Sequence, residues 1–289
     1  MFEMKVLSLF DGMSCLQIAL NNLGVDITEY YASEIDKHCI AVTKKNYQKT
    51  VFLGEISKIN QDSLPSLPGD IDLLVGGSPC QGFSLLGNQL NLDDPRSALF
   101  FEFLRVLKEV KPKYFILENV RMKKEMEQFI TNELGVEPIE INSALVSPQN
   151  RRRLYWTNIP NITQPKDKGI EGRSIFEDTS YEPATVRKAK VNQKHRQIVS
   201  PNGIKMPCLT ASYYKGINAD GRPGKAKPNN FGDYELGKIE MLSPVECERL
   251  QCVPDNYTEG VPKTYRYKML GNGFTVSVIE HILSHIPNI

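Results

Sequence analysis

The segment from Gly76 to Ser84 has the composition of a reactive-thiol site. It reads Gly-Gly-Ser-Pro-Cys-Gln-Gly-Phe-Ser and follows an apolar run, Ile71–Val75, that predicts a buried strand. Glycine lets a ligand approach the backbone closely, and Pro79 stiffens the residue before Cys80. The polar stretch that extends to Pro95 predicts a lid over the site. We interpret Cys80 as a candidate nucleophile, although a lone cysteine after a strand is more often a small buried apolar side chain.

Two acidic residues also follow predicted strands. Glu118 comes directly after Tyr114–Leu117, where desolvation of a carboxyl is costly. It therefore has either a proton-sharing role or a structural partner, such as a helix N-terminus. Glu34 ends the second predicted strand, the position of a ribose-binding acid in a nucleoside-binding βαβ unit.

The turn after the first predicted strand favours a cofactor without phosphates. Asp11–Cys15 contains a single glycine instead of the GxGxxG fingerprint that brings a backbone close to a pyrophosphate. This disfavours a dinucleotide and an oxidoreductase that uses one. A nucleoside cofactor such as S-adenosylmethionine fits better.

The first 158 residues alternate between short apolar runs and helical patterns. This order predicts an α/β fold, a doubly wound Rossmann-like sheet whose carboxyl edge collects these residues. The predicted strands are Val6–Phe10, Tyr30–Ser33, Val51–Leu53, Ile71–Val75, Tyr114–Leu117, Ile139–Leu145 and Leu154–Thr157. The predicted helices are Leu16–Leu23, Lys37–Asn46, Ser97–Val110 and Lys123–Leu134.

The amino-acid composition of the chain changes from about residue 160 to residue 238. Pro, Gly, Asn and Lys become frequent, and Cys208–Tyr214 is the clearest β-like piece, so we predict a small β-rich or irregular region. Ser243–Gln251 predicts a helix with a capping box between Ser243 and Glu246, and Val276–His285 predicts a final helix. We predict a catalytic and cofactor-binding domain (1–158), a target-recognition region (159–255) and a segment that returns to the catalytic domain (256–289).

Charge is distributed unevenly along a chain whose net charge is only +1. Of 35 basic residues, ten lie between Pro183 and Asn230, whereas only one of the 34 acidic residues does. Such a basic insert is either a phosphate-binding surface or a solvated loop. Its basic residues are Arg187, Lys188, Lys190, Lys194, Arg196, Lys205, Lys215, Arg222, Lys225 and Lys227.

Other classes of protein are disfavoured by the composition. No apolar run reaches the length that spans a bilayer, and the N-terminus lacks the layout of a signal peptide, so we expect a cytoplasmic protein with no membrane partner. The six cysteines form no CxxC pair and are expected to be reduced. His281 and His285 are four residues apart, but no further ligands accompany them, so we predict no metal.

Nine short motifs, read together, resemble the ordered motif series of the cytosine-C5 DNA methyltransferases. The first and last of them are similar in wording to the catalytic domains of the animal de novo DNA methyltransferases. The resemblance covers about residues 4–158 and 241–285. The motifs are Leu9–Gly12, Ser33–Asp36, Gly54–Ile56, Gly77–Ser84, Asp94–Glu102, Glu118–Val120, Gln149–Tyr155, Leu242–Gln251 and Leu270–Gly273.

The resemblance implies a catalytic role for four residues. Cys80 would attack cytosine C6 as a thiolate and thereby make C5 nucleophilic. Glu118 would contact N3 and the exocyclic amine of the base. Arg153, together with Arg151, would complete the pocket and stabilise the adduct; without that role, both arginines would be ion-paired residues at a strand entry.

The resemblance also implies a binding site for S-adenosylmethionine. Phe10 would pack on the adenine side, Gly12 would permit the turn, and Glu34 would bind the ribose hydroxyls. The remaining predicted contacts are Ile35 and Ile56 beside the adenine, Glu55 at its amino group, and Pro79, Leu99 and Asn272 at the methionine end. Two departures from the family pattern affect this site: Glu55 stands where Asp is more usual, and Met13–Cys15 replaces glycine-rich sequence.

Double-stranded DNA is the expected partner. Attack at C6 cannot proceed inside the base stack, so the target cytosine must be flipped out. The segment 81–94 would close over the flipped base, and the basic insert would follow the backbone and read bases. The candidate DNA contacts are Gln81, Ser84, Arg187, Lys188, Arg196 and Lys215.

Two alternative functions use the same motifs. A tRNA cytosine-C5 methyltransferase would keep the chemistry, but that branch typically carries Pro-Pro-Cys, whereas this chain has Ser78-Pro79-Cys80. A non-catalytic DNA-binding relative would have lost the cysteine or the cofactor turn, and both are present here.

Overall fold

A seven-stranded sheet with helices forms the first half of the chain. The computed structural model describes residues 3–60, 70–78, 95–178, 182–183, 199–200, 203–216, 225–226 and 239–289. The strands are β1 (Glu3–Leu9), β2 (Asp26–Ser33), β3 (Val51–Phe52), β4 (Leu73–Gly76), β5 (Tyr114–Asn119), β6 (Ile139–Asn142) and β7 (Arg152–Thr157). The helices are α1 (Cys15–Asn22), α2 (Lys37–Asn46), α3 (Pro95–Val110) and α4 (Lys124–Leu134).

The strand order places the candidate residues along one edge of the sheet. The order is β3-β2-β1-β4-β5-β7-β6. Strands β3, β2, β1, β4 and β5 pair in parallel, whereas β5 pairs with β7 in the antiparallel direction. Parallel strands share their carboxyl ends at one edge, so the residues that follow β1, β2, β4 and β5 lie along a common rim.

The core fixes the ends of these strands. All four residues of β4 are buried, as expected for a central parallel strand covered on both faces. Gly76, its last residue, leaves room for Phe103 of α3, because a Cβ there would lie 2.9 Å from the Phe103 ring. Helix α3 therefore packs directly against the strand that leads to Gly77, Ser78 and Cys80.

The second half of the chain is built from shorter elements. The helices are α5 (Pro244–Leu250), α6 (Lys263–Asn272) and α7 (Val276–Leu283). Two-residue strands are β8 (Glu182–Pro183), β9 (Val199–Ser200), β10 (Gly203–Ile204), β11 (Lys225–Ala226) and β12 (Ile239–Glu240). The predicted capping box is present, because Ser243 Oγ accepts from the Glu246 amide and Glu246 accepts from the Ser243 amide.

Two sequence predictions of secondary structure differ from the structure, and one helix was not predicted. Cys208–Tyr214 is not a strand: residues 208–210 have no regular structure, residues 211–212 form a turn, and Tyr213–Lys215 is a short 3-10 helix whose Tyr213 ring is buried against Tyr267. Strand β6 ends at Asn142, whose side chain caps a 3-10 helix over Ser143–Leu145. Helix α6 was not predicted, since its sequence lacks a clear apolar stripe.

The chain forms two compact units, and the functional division predicted at residues 158 and 255 remains a prediction. The first comprises residues 1–141, 152–163 and 280–289, and the second comprises residues 142–151 and 164–279. Residues 256–279 thus belong with the second unit, because α6 packs against α5 and the 3-10 helix Tyr213–Lys215. Within the described residues, no helix is long and apolar enough to cross a membrane.

Candidate active site

The turn after β1 is built from residues in left-handed backbone conformations. Phe10, Gly12 and Ser14 have φ values of 56°, 62° and 60°. For Phe10 and Ser14 this conformation is uncommon and must be imposed by surrounding contacts. One contact is the Asp11 amide, which donates to the Ser33 carbonyl at 3.1 Å and so ties the turn to the end of β2.

Asp11 is a buried carboxyl inside this turn. Its two oxygens accept from the Tyr30 hydroxyl at 2.6 Å and from the Ser14 hydroxyl. Burial, the largest effect, and the nearby charge of Glu34 together raise the pKa of Asp11 from 3.8 to about 6, against the opposing effect of its hydroxyl donors. The turn therefore contains a carboxyl whose pKa is well above that of a free aspartate.

Glu34 is held at the end of β2 by backbone amides. Its Oε2 accepts from the Gly12 amide at 2.8 Å, and its Oε1 accepts from the Ile35 and Asp36 amides, each at 2.7 Å. These bonds fix the carboxylate and leave acceptor capacity for further donors. Beside it, Ile35 is 74% exposed, an unusual position for a large apolar side chain.

The other predicted cofactor residues differ in their exposure. Glu55 is exposed and lies 3.7 Å from Lys58, whereas Ile56 is buried in the core of the first unit. Ile56 therefore offers little apolar surface to a ligand compared with Ile35. Leu99 is partly buried against the same core, and Asn272 is an exposed residue at the end of α6.

Asn119 connects the end of β5 to the residues before the candidate nucleophile. Its Nδ2 lies 3.3 Å from Ser78 Oγ and 3.5 Å from the Ser78 carbonyl oxygen, and its Oδ1 accepts from the Val120 amide at 2.8 Å. Ser78 is buried and stands two positions before Cys80. Pro79, Cys80, Gln81 and Ser84 lie outside the described residues, so their predicted roles remain predictions.

Glu118 and Arg153 form a mostly buried ion pair. Arg153 Nε donates to Glu118 Oε1 at 2.9 Å, and the exposed fractions of the two side chains are 15% and 11%. The antiparallel register of β5 and β7 brings them together, since Glu118 pairs with Tyr155 and Asn119 with Leu154. Two residues predicted to act on the same ligand thus lie in contact at the end of β5.

Arg151, predicted to act beside Arg153, occupies a different environment. It belongs to the second unit, is buried, and donates to the carbonyl oxygens of Leu209 at 2.9 Å, Gly271 at 3.2 Å and Gly273 at 3.1 Å. It also lies 3.4 Å from Cys208 Sγ. These contacts favour a role in anchoring backbone segments of that unit over direct contact with a base.

Sequence analysis missed two buried glutamines that join three of the motifs. Gln149 Nε2 donates to the Leu250 carbonyl and to Gln251 Oε1, both at 3.0 Å, and its Oε1 accepts from the Leu209 amide at 2.7 Å. Gln251 in turn donates to the carbonyls of Leu270 at 2.7 Å and Gly273 at 3.2 Å. The sequence offered one indication of this network: a glutamine stands at the first position of the motif Gln149–Tyr155 and at the last position of the motif Leu242–Gln251. This network fixes the backbone on both sides of Asn272.

The predicted basic insert is only partly described by the structure. Lys215 is exposed and its Nζ lies 6.0 Å from the ring centroid of Tyr214, itself 40% exposed. Lys205 does not belong to a solvated basic surface: it is 1% exposed, and its ammonium donates to the carbonyls of Ser147 at 3.1 Å and of Ile170. Arg187, Lys188 and Arg196 lie outside the described residues.

His281 of α7 and His285, which follows that helix, each lie within hydrogen-bond distance of a backbone carbonyl oxygen. His281 Nε2 is 2.7 Å from the Thr163 carbonyl, and His285 Nδ1 is 2.8 Å from the His281 carbonyl. In the part of the chain that the structure describes, no group of three or more His, Cys, Asp or Glu side chains is placed to hold a metal.

The mixed seven-stranded sheet, with a turn and an acid at its carboxyl edge, is the architecture of a Rossmann-like methyltransferase, and comparison with known proteins agrees. The Entamoeba histolytica methyltransferase EhMeth has the same fold, with a TM-score of 0.73 at 18% identity over 99% of this chain and 98% of that one. Type II methyltransferase M1.ScrFI of Lactococcus lactis subsp. cremoris is 29% identical over 314 residues, 96% of this chain and 76% of the relative. Type II methyltransferase M.HhaI of Haemophilus parahaemolyticus is 27% identical over 326 residues, 98% of this chain and 94% of the relative.

A family model narrows this class further. The model described as C-5 cytosine-specific DNA methylase matches residues 4–198 and 148–288, which together span nearly the whole chain. The chain belongs to the C-5 cytosine-specific DNA methylase family.

Proposed function

We propose that this protein transfers a methyl group from S-adenosylmethionine to C5 of a flipped-out cytosine in double-stranded DNA, with Cys80 as the covalent nucleophile. The observation that carries the proposal is the contact between Glu118 and Arg153 at the end of β5, next to Asn119, which holds Ser78 two positions before Cys80. Cys80 would supply the nucleophile, Glu118 a carboxyl that can share a proton with the base, and Arg153 a cation that can stabilise the adduct.

The residues at the ends of β1 and β2 fit a nucleoside cofactor. Glu34 is fixed by three amide donors and retains acceptor capacity, which suits the two hydroxyls of a ribose. The exposed side chain of Ile35 lies next to it and would flank the adenine, together with Phe10. Glu55 would accept from the adenine amino group, and Pro79, Leu99 and Asn272 would contact the methionine end. When bound, the cofactor supplies an electrophilic methyl group on a sulfonium.

Each of three side chains would have a separate chemical role toward the cytosine base. The Cys80 thiolate would add to C6, which breaks the aromaticity of the ring and places a nucleophilic electron pair on C5. Glu118 would contact N3 and the exocyclic amine, and Arg153 would stabilise the charge of the adduct. After methylation, loss of the C5 proton to a base and expulsion of the Cys80 thiolate restore the ring and the free enzyme.

Duplex DNA is the proposed substrate because of the chain's charge distribution and family. The basic insert supplies cations for phosphates, and the exposed Tyr214 and Lys215 add an aromatic and a charged group in the second unit. Within the duplex, C6 is stacked, so the enzyme would extrude the target base.

The covalent step is tested by trapping the base on the enzyme. Duplex DNA that carries 5-fluorocytosine, incubated with S-adenosylmethionine, should form an adduct stable to denaturation, because fluorine at C5 cannot leave as a proton does. Cys80→Ala should lose the adduct and essentially all methylation while it still binds DNA. Cys252→Ala, which removes a partly exposed thiol of the second unit, is the matched control and should retain both.

The same assay separates the proposal from its alternatives. Methylation of tRNA in preference to duplex DNA would assign the enzyme to RNA. Absence of methylation from both substrates, with DNA bound, would indicate a binding protein. An adduct formed equally by Cys80→Ala would contradict the choice of nucleophile.

A further inference from the structure

Arg105 of α3 uses all of its hydrogen-bond donors within the first unit. Nε and Nη2 donate to Glu102 at 2.9 and 2.7 Å, and Nη1 donates to Glu109 at 3.0 Å. The two remaining N–H groups reach the carbonyl oxygens of Ile59 at 2.7 Å and Ile56 at 3.0 Å. A guanidinium has five N–H donors, and each of them has an acceptor here.

The two carboxylates hold Arg105 in place for its backbone contacts. Glu102 and Glu109 stand three residues before and four residues after Arg105, so the three side chains share one face of α3. Each is about one-third exposed. The flexible guanidinium is thereby restricted to the orientation that reaches the backbone of another segment.

The segment that Arg105 contacts contains Glu55, the residue proposed to accept from the adenine amino group. Residues Glu55–Ile59 form a single 3-10 turn, with the Lys58 amide bonded to the Glu55 carbonyl and the Ile59 amide to the Ile56 carbonyl. Ile56 and Ile59 are buried in the core and anchor the inner side of the turn. Arg105 bonds to the backbone at both of these positions.

Glu55 depends on this turn for its direction. Its side chain is 55% exposed and lies near Lys58 of the same turn. Rotation of the turn about the chain axis would carry the Glu55 carboxylate away from a ligand at the rim. The two hydrogen bonds from Arg105 to backbone carbonyls oppose that rotation. The two buried isoleucines alone would fix the position of the turn but would not prevent it from rotating.

Helix α3 also contacts the strand that leads to the nucleophile. Phe103, two residues before Arg105, packs against Gly76 at the end of β4. One helix thus touches the strand end before Cys80 and, through Arg105, the turn that carries Glu55.

We propose that Arg105, braced by Glu102 and Glu109, is a positioning residue that orients Glu55 for the adenine of the methyl donor. This inference rests on the proposed function, since it assumes that a nucleoside binds at this rim. Arg105 does not touch the ligand; it acts through the turn Glu55–Ile59.

The test measures binding of S-adenosylhomocysteine and of adenosine by calorimetry or competition, well below the unfolding temperature. Arg105→Lys keeps the charge and the partners Glu102 and Glu109 but cannot fork to two carbonyls. We expect it to weaken binding of both ligands by the same factor, about three- to tenfold, as for one lost charge-assisted contact. The KM for S-adenosylmethionine should rise similarly, with a smaller change in kcat.

A control and a double variant distinguish positioning from general stability. Lys108 lies on the same helix as Arg105 and forms an exposed ion pair with Glu133 of α4. Lys108→Met removes that ion pair and should leave ligand binding unchanged. In a Glu55→Ala background, Arg105→Lys should have less than half of its effect on ligand affinity, because the carboxylate through which Arg105 is proposed to act has been removed.

Three outcomes decide the question. Equal affinity of Arg105→Lys and the unaltered protein would overturn the inference, as would an undiminished effect in the Glu55→Ala background. Failure of the unaltered protein to bind S-adenosylhomocysteine would instead overturn the proposed function on which the inference rests.

Discussion

Side chains one or two positions apart have different tasks in this protein. Glu118 faces Arg153 in a mostly buried ion pair, whereas its neighbour Asn119 bonds to Ser78. Arg151 and Arg153 are alike in sequence and were predicted to act together, yet Arg151 donates to three backbone carbonyls of the second unit. Residue type and motif position alone gave Arg151 and Arg153 the same predicted role, whereas their contacts differ: Arg153 pairs with a carboxylate and Arg151 bonds to backbone carbonyls.

Asp11 gives a prediction at the level of a single ionisable group. Burial raises its pKa from 3.8 to about 6, so the folded protein binds more protons than the unfolded chain between these values. Stability contributed by the protonated form is present below about pH 4 and is lost as the pH rises through 6. Asp11→Asn keeps an acceptor for the Tyr30 hydroxyl without the buried charge.

The variant should therefore gain stability relative to the unaltered protein as the pH rises. We expect the difference in free energy of unfolding to shift in favour of Asp11→Asn by on the order of 2 kcal/mol between pH 4 and pH 7.5. Urea denaturation at several pH values measures it. Asp255→Asn is the control: the hydrogen bond from Arg249 lowers the pKa of Asp255, so the effect of this substitution should change mainly below about pH 4 and little between pH 5 and pH 7.5. A difference that does not vary with pH would contradict the assigned burial effect.

The sequence predicted residues that are recognised by their place at the end of a strand. It did not predict residues whose contacts lie far away in the sequence. Glu34 and Glu118 follow apolar strands, a pattern visible in the sequence, and the structure places both at the rim. Arg105 reads as an ordinary solvated helix residue, because its contact with the Ile56 and Ile59 carbonyls spans more than 40 residues of chain. Such pairings depend on tertiary packing, which residue spacing does not encode.

At the scale of elements, strands and helices with strong local signals were predicted well. The interval Lys37–Asn46 matches α2, whose N-cap Asp36 accepts from the His38 amide, and the capping box of α5 is present. Helix α6 was missed because packing, not periodicity, stabilises it. Cys208–Tyr214 carries β-forming residues but lies against α6 with turns, so tertiary contacts override its propensity.

The packing of α6 depends on one glycine. A Cβ on Gly271 would lie 2.2 Å from the carbonyl carbon of Thr210 and 2.4 Å from the Ala211 amide nitrogen. Both are backbone atoms, so relief requires the whole segment to move, and the Arg151 bonds to Leu209 and Gly271 oppose that movement. We expect Gly271→Ala to lower the free energy of unfolding by roughly 3 kcal/mol or more.

A matched glycine separates this steric effect from backbone conformation. Gly24 has φ of 72° and nothing within 4 Å of its added Cβ, so Gly24→Ala should cost only about 1 kcal/mol. Chemical denaturation of both variants measures the two costs. Similar values for the two substitutions would show that the second unit accommodates the methyl group and that the close approach is not required.

At the scale of the whole molecule, a net charge of +1 conceals a strongly basic insert. The structure refines this pattern, since Lys205 is buried on carbonyl oxygens while Lys215 remains exposed next to Tyr214. Charge counted along the sequence therefore overestimates the cations available to a polyanion. Composition alone does not separate a buried lysine from an exposed one.

The remaining cations of the insert should determine how DNA binding responds to salt. Each lysine or arginine that neutralises a phosphate releases a condensed counterion, which makes the binding constant fall with salt. Lys188→Ala/Arg196→Ala should therefore reduce the slope of log K against log salt concentration by about 2. Lys108→Ala/Arg173→Ala removes two positive charges from exposed ion pairs elsewhere and should leave the slope unchanged. Titrations of labelled duplex DNA between low and physiological salt give both slopes, and equal slopes for the two double variants would mean that net charge, not the insert, attracts DNA.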